Sequence, residues 1–149
     1  MLPRWHILYG AVFTAIIAIA APNVGWVNLL LIFLASFLID FDHYITAVKR
    51  TGKWSLKSAF NYHEDQHDVI HSERSKGIRK RGDFHLFHTI EFHALIAIIG
   101  IFFSPLFFVF IGMTFHSLLD LLDMAHKDYL YRREYFLTKW IRDKVGELE

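Results

Sequence analysis

The sequence predicts an all-α integral membrane protein of four short transmembrane helices paired as two helical hairpins, and three observations predict it. Hydrophobic residues make up 54% of the 149 residues, more than the core of a soluble domain this size requires. Two long tracts, Ile7 to Ile39 and Ala94 to Phe115, hold no charged residue and no histidine. Each tract is interrupted once by helix-breaking residues, Pro22-Asn23-Val24-Gly25 in the first and Ser104-Pro105 in the second, because proline lacks the N–H and its ring clashes with the preceding turn. The expected helices cover residues 5–21, 25–42, 84–103 and 105–124 of a single membrane domain. Each is close to the ~20 residues that cross a hydrocarbon core.

Arg4, the apolar stretch after it and Ala18-Ile19-Ala20 imitate a cleavable secretory signal. The second apolar run follows after only a tight turn, as a hairpin would, so the first helix is expected to stay. Lysine and arginine set the orientation, since cytoplasmic loops are enriched in them. Arg4 supplies one, the segment from His43 to Asp83 nine, the tail from Lys127 six and the hairpin turns none. Both termini and the middle segment 44–83 are therefore expected in the cytoplasm, with the chain in the inner or plasma membrane.

Within the middle segment, residues 54–72 fit an amphipathic helix, and Lys76-Gly-Ile-Arg-Lys-Arg-Gly82 reads as a mobile basic loop that anionic headgroups attract. His63, His67 and His71 form a stripe at i, i+4, i+8, read as a solvated face rather than a lid or an extra metal site. The tail 127–149 repeats apolar residues at helical spacing beside arginines and lysines, as an interfacial helix or one packed on the middle segment would.

The absence of cysteine removes disulfides, thiolate ligands and cysteine nucleophiles. A net charge of +1 gives no sign of nucleic-acid binding. No Gly-rich phosphate loop and no serine-hydrolase motif is present. Ten histidines remain, and imidazole is the commonest metal ligand.

The polar residues that touch the expected helices gather at one membrane level. His6 opens the first; Asp40, Asp42 and His43 close the second; His85, His88, Glu91 and His93 open the third; His116, Asp120 and Asp123 close the fourth. Ionisable groups at this depth are costly unless paired, hydrated or metal-bound, and clustered imidazoles and carboxylates suit a divalent cation. On helices, His116, Asp120 and Asp123 share one face, as do Asp40 and His43. His85, His88 and Glu91 also share a face, whereas His88 and His93 diverge by about 140°. Asp42 shares the face of Asp40 only if the helix ends there, so one of the two is open to a role in accepting an N–H from a ligating imidazole.

These motifs resemble the YdjM-like membrane-bound proteins, regarded as metal-dependent hydrolases. The resemblance rests on His6, on Asp40-Phe41-Asp42-His43 as D-x-D-H, on His88-Thr89-Ile90-Glu91-Phe92-His93, and on His116-Ser117-Leu118-Leu119-Asp120 as H-x-x-x-D. It runs from residue 6 to about 124. In the third motif Thr89 stands in place of arginine and a reading through His85 and His88 fits as well, so the pair that ligates stays open among His85, His88 and His93. A looser likeness connects the group to zinc-dependent phospholipases C and single-strand nucleases. The resemblance implies hydrolysis of a phosphoester or lipid headgroup by one to three divalent ions, zinc first and manganese or iron as alternatives. Asp42 or Asp123 is expected to act as general base. A metal-binding sensor or scaffold without enzymatic activity is the other reading. Membrane lipids are the partners expected; the sequence names no protein partner.

Overall fold

In the computed structural model, residues 3–147 are described, and they form seven α-helices without a strand among them. Helix α1 (Pro3–Ala20) turns through Pro22 and Gly25 into α2 (Trp26–Leu38), and α5 (Ile90–Phe102) turns at Phe103 into α6 (Ser104–His126), whose first turn takes Pro105. Proline is suited to that position because its missing N–H has no intrahelical acceptor to lose. Between the hairpins lie α3 (Phe41–Thr51) and α4 (Leu56–Ser75), and the chain ends in α7 (Leu137–Gly146). Helix α2 packs against both α1 and α6, and α5 packs along α6.

Helix two departs from its expected course at Ile39 and Asp40. There the Asp40 N–H donates to Phe37 O at 3.4 Å, a tight three-residue turn after which the chain resumes as α3. Helix three begins at Ile90 rather than 84. Thr89 has extended backbone and its hydroxyl accepts the Phe92 N–H at 3.3 Å, a helix N-cap, while Leu86–His88 form a single 3-10 turn. His85 and His88 therefore do not belong to a helical face with Glu91.

Small residues set the spacing of the central helices. A Cβ added at Gly112 of α6 would lie 2.3 Å from Ile32 O and 2.8 Å from Ala35 Cβ of α2, and one added at Gly10 of α1 would lie 2.0 Å from Ser36 Oγ. At Gly112 the two backbones approach this closely only because a glycine stands there, the same device that brings helices together in lipid, while Gly10 makes room for the Ser36 side chain.

The distribution of polarity is inverted relative to a water-soluble domain. His6, Ser36, Asp42, His88, Thr89, His116, Asp120 and Glu134 are buried, whereas large apolar residues on the outer faces of α1, α2, α5 and α6 are open, among them Ile19, Trp26, Ile101 and Phe102. Apolar exposure on this scale needs a partner or a bilayer. Four apolar helices were expected to cross a membrane, and among the described residues two are long and apolar enough by length and composition: Trp26–Thr51, which joins α2 to α3, and Ser104–His126. The stretches Arg4–Ala20 and Ile90–Phe102 are apolar but shorter.

The basic loop is tied rather than free. Lys80 pairs with Glu73 at 3.2 Å, Arg79 with Asp128 at 3.6 Å, and Arg81 with Glu134, so its charges are largely answered within the protein. Asp83 anchors the loop's end by accepting from Arg50 of α3 (2.5 Å) and the Tyr62 hydroxyl of α4 (2.7 Å). Burial raises the Asp83 carboxyl, but those two hydrogen bonds outweigh it and hold the group below its ordinary value. Burial, aided by Asp83, pushes the Tyr62 phenol up to about 12.

Two predictions follow from this packing. Gly112→Val lowers the thermal midpoint in detergent by the equivalent of about 1–3 kcal/mol or more, as overpacking does, whereas Gly25→Ala, where an added Cβ meets nothing within 4 Å, leaves it unchanged. Asp83→Asn destabilises at pH 7 by about 1 kcal/mol, the charged hydrogen bonds being partly screened by water. A depressed carboxyl contributes stability above its unfolded pKa and loses it as pH falls through the folded value. The gap between wild type and Asp83→Asn in thermal melts should therefore close below about pH 4.

Candidate metal centre

The close helix contacts lead directly to the site. One turn beyond Gly112 on α6 comes His116 and then Asp120; one turn beyond Ile32 on α2 comes Ser36, and one further turn reaches Asp40. On α1, His6 lies one turn before Gly10. The His6 ring stacks on His116 with centroids 3.9 Å apart and planes 20° apart, and its Nε2 lies 3.1 Å from Asp120 Oδ1. His88 arrives from the 3-10 turn before α5, fully buried at its side chain.

Asp40, His88, His116 and Asp120 form a group that can hold a metal ion, each offering one atom within 4.8 Å of the others. His116 Nε2 is 3.3 Å from Asp40 Oδ1, 3.3 Å from His88 Nε2 and 3.5 Å from Asp120 Oδ2. His88 Nε2 is 3.5 Å from Asp40 Oδ1 and 3.8 Å from Asp120 Oδ2. A tetrahedral zinc ion with ligands at ~2.0–2.1 Å would separate its ligand atoms by roughly 3.3 Å, and five of the six donor separations lie between 3.3 and 3.8 Å, the Asp40–Asp120 pair within 4.8 Å.

The far nitrogens of the two imidazoles decide which way these rings are charged with protons. His116 Nδ1 faces Ser36 O at 2.9 Å and His88 Nδ1 faces Asp42 Oδ2 at 3.2 Å. A carbonyl and a carboxylate only accept, so Nδ1 of each ring carries the N–H, and in the neutral ring the Nε2 lone pair is then directed at the shared point. Asp42 Oδ2 also accepts the Phe87 N–H at 3.0 Å. Asp42 thus sets the orientation of His88 from behind, as outer-shell carboxylates do for metal-bound histidine.

Beside this group lies a second, of Asp42, His43 and His88. His43 Nε2 is 3.6 Å from Asp40 Oδ1, and the His43 ring stacks on His85 at 3.7 Å. His85 Nδ1 is 3.8 Å from Asp42 Oδ1, and neither atom has a hydrogen-bond partner. Burial, outweighing Asp42, pushes the His85 imidazole down to about 4, which leaves it neutral. His63 of α4, expected on a solvated face, reaches His43 O with Nε2 at 3.2 Å.

Three expected residues are placed elsewhere. Glu91 accepts the backbone N–H groups of Leu137 (2.9 Å) and Thr138 (3.0 Å) and the Thr138 hydroxyl (2.8 Å); it holds the start of α7 instead of joining the cluster. His93 has Nδ1 at 3.0 Å from Thr89 O and Nε2 at 3.1 Å from Ser117 Oγ. Asp123 pairs with Lys127 at 2.8 Å.

One residue that helical spacing did not single out stands at the centre. Arg133, from the irregular strap before α7, places Nη2 at 2.5 Å from Asp120 Oδ2. The strap is fixed by the Ile90 N–H to Tyr135 O bond (2.9 Å), the Gly82 N–H to Arg132 O bond (2.8 Å), the Glu91 contacts and the Phe84–Trp140 stack at 4.2 Å. An arginine in a charged tail has no local pattern that marks it; only the return of the tail to α5 brings it here.

Comparisons with known protein families, with curated proteins and with solved structures find no match to this chain.

Removing the carboxylate behind His88 should weaken the centre without emptying the fold. Asp42→Asn is expected to reduce metal affinity by roughly 10–100-fold in a competition titration with a metal indicator, with helicity unchanged.

Proposed function

We propose that this chain is a membrane-embedded, metal-dependent hydrolase acting on a phosphoester, with Asp40, His88 and His116 as protein ligands and Asp120 beside them. The observation that carries the reading is the pair of imidazoles whose Nδ1 atoms are committed to Ser36 O and Asp42 while their Nε2 atoms meet 3.3 Å apart next to Asp40. Two bare nitrogen lone pairs brought that close repel unless a proton or a cation stands between them. The likeness of the four motifs to YdjM-like proteins points in the same direction. The largely apolar exterior of α1, α2, α5 and α6 supports placement of all four in a bilayer, the shorter two flanked by the interfacial polar cluster, with the lysine- and arginine-rich middle and tail in the cytoplasm.

Zinc is the first choice for a nitrogen and oxygen ligand set, followed by manganese and iron. A divalent cation held there supplies acidity to a water and stabilises charge on phosphoryl oxygens. Asp120 is the more distant from His88 of the two carboxylates at the shared point and is assigned the proton of the attacking water, a role that requires Arg133 and His6, which share its carboxylate, to give up part of their contact. In the balanced reaction the water oxygen bonds to phosphorus, the ester P–O bond breaks, and the proton passes by way of Asp120 to the departing alcohol. Asp42, first considered as base, faces His88 at Nδ1, the ring nitrogen opposite the shared point, and Asp123 pairs with Lys127.

A second reading is favoured by the position of Asp120 within 4.8 Å of the other three donors. If it ligates, four protein groups close the coordination sphere, and closed sites are structural; the chain is then a metal-binding sensor or scaffold.

Elemental analysis of detergent-purified protein is expected to find about one zinc-type ion or more per chain, lost in the Asp40→Ala, His116→Ala double variant. Asp120→Asn then separates the readings. As base, it leaves metal content intact and abolishes turnover of an aryl phosphodiester panel; as ligand, it lowers metal content, and wild type shows no turnover. Absence of metal from both wild type and the double variant would leave a structural or proton-titrating network and remove the hydrolase.

A further inference from the structure

The loop expected to attract anionic headgroups answers most of its own charge: Arg79, Lys80 and Arg81 pair with Asp128, Glu73 and Glu134. In the tail, Lys139, Arg142 and Lys144 pair with Asp143 and Glu147. Lys49, Lys53 and Lys57 differ. All three are exposed, and none forms an ion pair with a described residue. They surround the corner between α3 and α4, which is a built turn. Gly52 ends α3 in the left-handed region (φ 69°) with its N–H on Val48 O at 2.8 Å, the Lys53 N–H donates to Thr51 Oγ1 at 3.2 Å, and the Tyr44 hydroxyl donates to Trp54 O at 2.5 Å. Between His43 and His63 the chain has no aspartate or glutamate, whereas Glu64, Asp65 and Asp68 follow directly on α4. The corner is therefore cationic and the body of α4 acidic.

The same corner bares apolar side chains that the four apolar helices do not account for. Trp54 is 78% exposed and Leu56 65%, and Phe60, one turn after Leu56, is exposed as well. An apolar patch rimmed by charge marks an interaction surface. This one is connected to the open apolar face of α2: Leu38 and Phe41 are exposed, Phe41 stacks on Tyr44 with centroids 5.7 Å apart, and Tyr44 holds Trp54. Tryptophan and aliphatic residues beside unpaired lysines are the composition of a segment that lies at headgroup level.

We propose that the α3–α4 corner docks on the anionic surface of the bilayer that holds α2, with Trp54, Leu56 and Phe60 entering the headgroup boundary and Lys49, Lys53 and Lys57 set among anionic headgroups. The proposal rests on the bilayer placement of α2 and is independent of the metal reading. An acidic protein segment would match the lysines, but it gives no reason for the aromatic line that joins the corner to α2. Three lysines close to an anionic surface favour docking by roughly a hundredfold, while Glu64, Asp65 and Asp68 are repelled from it. Docking fixes the far end of α3, whose first turn carries Asp42 and His43, and so ties the position of the candidate centre to the membrane surface.

The chain has no cysteine, so a single thiol can be introduced and spin-labelled. Leu56→Cys reports on the corner, Asp68→Cys on the acidic side of α4 and Leu30→Cys on the open face of α2. Each protein is placed in nanodiscs of phosphatidylcholine alone or mixed with phosphatidylglycerol, and collisions of the label with oxygen and with a neutral nickel chelate are measured by power saturation. In the mixed discs the label at position 56 is expected to meet the chelate at least roughly threefold less often than the label at 68. That protection should fall in phosphatidylcholine discs and in about 1 M salt, where charge is screened within ~3 Å. Lys49→Gln, Lys53→Gln and Lys57→Gln together should remove the difference between the two lipid compositions with the thermal midpoint unchanged. Equal chelate access at 56 and 68 in mixed discs, indifference of position 56 to lipid composition, or survival of the difference in the triple variant overturns the proposal. Protection of position 56 by soluble polyglutamate but not by mixed discs overturns it in favour of an acidic protein partner. Position 30 keeps the two failures apart. Oxygen-rich and chelate-poor there with position 56 open leaves α2 in the bilayer without the docking; chelate access at position 30 removes the placement of α2 and the proposal with it.

Discussion

The constraint on which the rest of the structure depends is the close approach of α2 to α6, where Gly112 leaves no room for a side chain against the Ile32 carbonyl. At that separation the helix repeat does the remainder. His116 comes one turn further along α6 and meets the Ser36 carbonyl, one turn further along α2, at 2.9 Å; the next turn of each helix delivers Asp120 and Asp40. The approach of α1 at Gly10 against Ser36 repeats the device and lays His6 on the ring of His116. Helices held farther apart would leave these side chains separated by the width of a methyl group or more, and a coordination figure with edges near 3.3 Å could not be drawn from them.

A polar interior inside an apolar exterior reverses the usual source of stability. Few buried apolar residues are available, chiefly Ile32, Ala35, Ile39 and Met113 around the α2–α6 contact, so little is gained from sequestering hydrocarbon from water. What holds the helices is close packing and satisfied polar contacts, and these lie at the cytoplasm-facing end on the proposed orientation. There Glu91 ties α5 to α7, Asp83 ties the loop to α3 and α4, and Arg133 ties the tail to α6. The same end that carries the His/Asp cluster is therefore the end that fastens the bundle.

The sequence made the hairpins legible because their breaks are chemical: proline and glycine in the first, serine and proline in the second. The gathering of His6, Asp40, His88, His116 and Asp120 was legible too, since two helical hairpins return every helix end bearing them to one side. The role of each residue was less so, because side-chain direction depends on small departures from an ideal helix. The tight turn at Asp40 put Asp42 behind His88, and the Thr89 cap removed His85 and His88 from the helix that spacing had assigned them. Thr89 before an apolar run was a readable capping signal. Arg133 and the Ser36 carbonyl were not readable. The first depends on a long-range return of the chain, and the second is a backbone atom made available only by the fit of two helices.

Whether the cluster is a metal site or a proton-sharing network turns on charge. Asp40, Asp42 and Asp120 bring three negative charges together and Arg133 returns one positive charge, leaving an excess of two in a low-dielectric setting where unbalanced charge is strongly disfavoured. Two protons on histidine would cancel it in number. His88 and His116 already commit Nδ1–H to Asp42 and Ser36, so a proton added to either ring sits on Nε2, while His6 offers a third ring against Asp120. Protonating both His88 and His116 brings two donors and two positive charges to 3.3 Å of one another. A single divalent cation cancels the same excess from one point and turns both lone pairs, and Asp40 between them, from a source of repulsion into ligands. A cation answers the excess from one centre, whereas protons would answer it from several rings that face the carboxylates, His6 beside Asp120 as well as His88 and His116 beside Asp40.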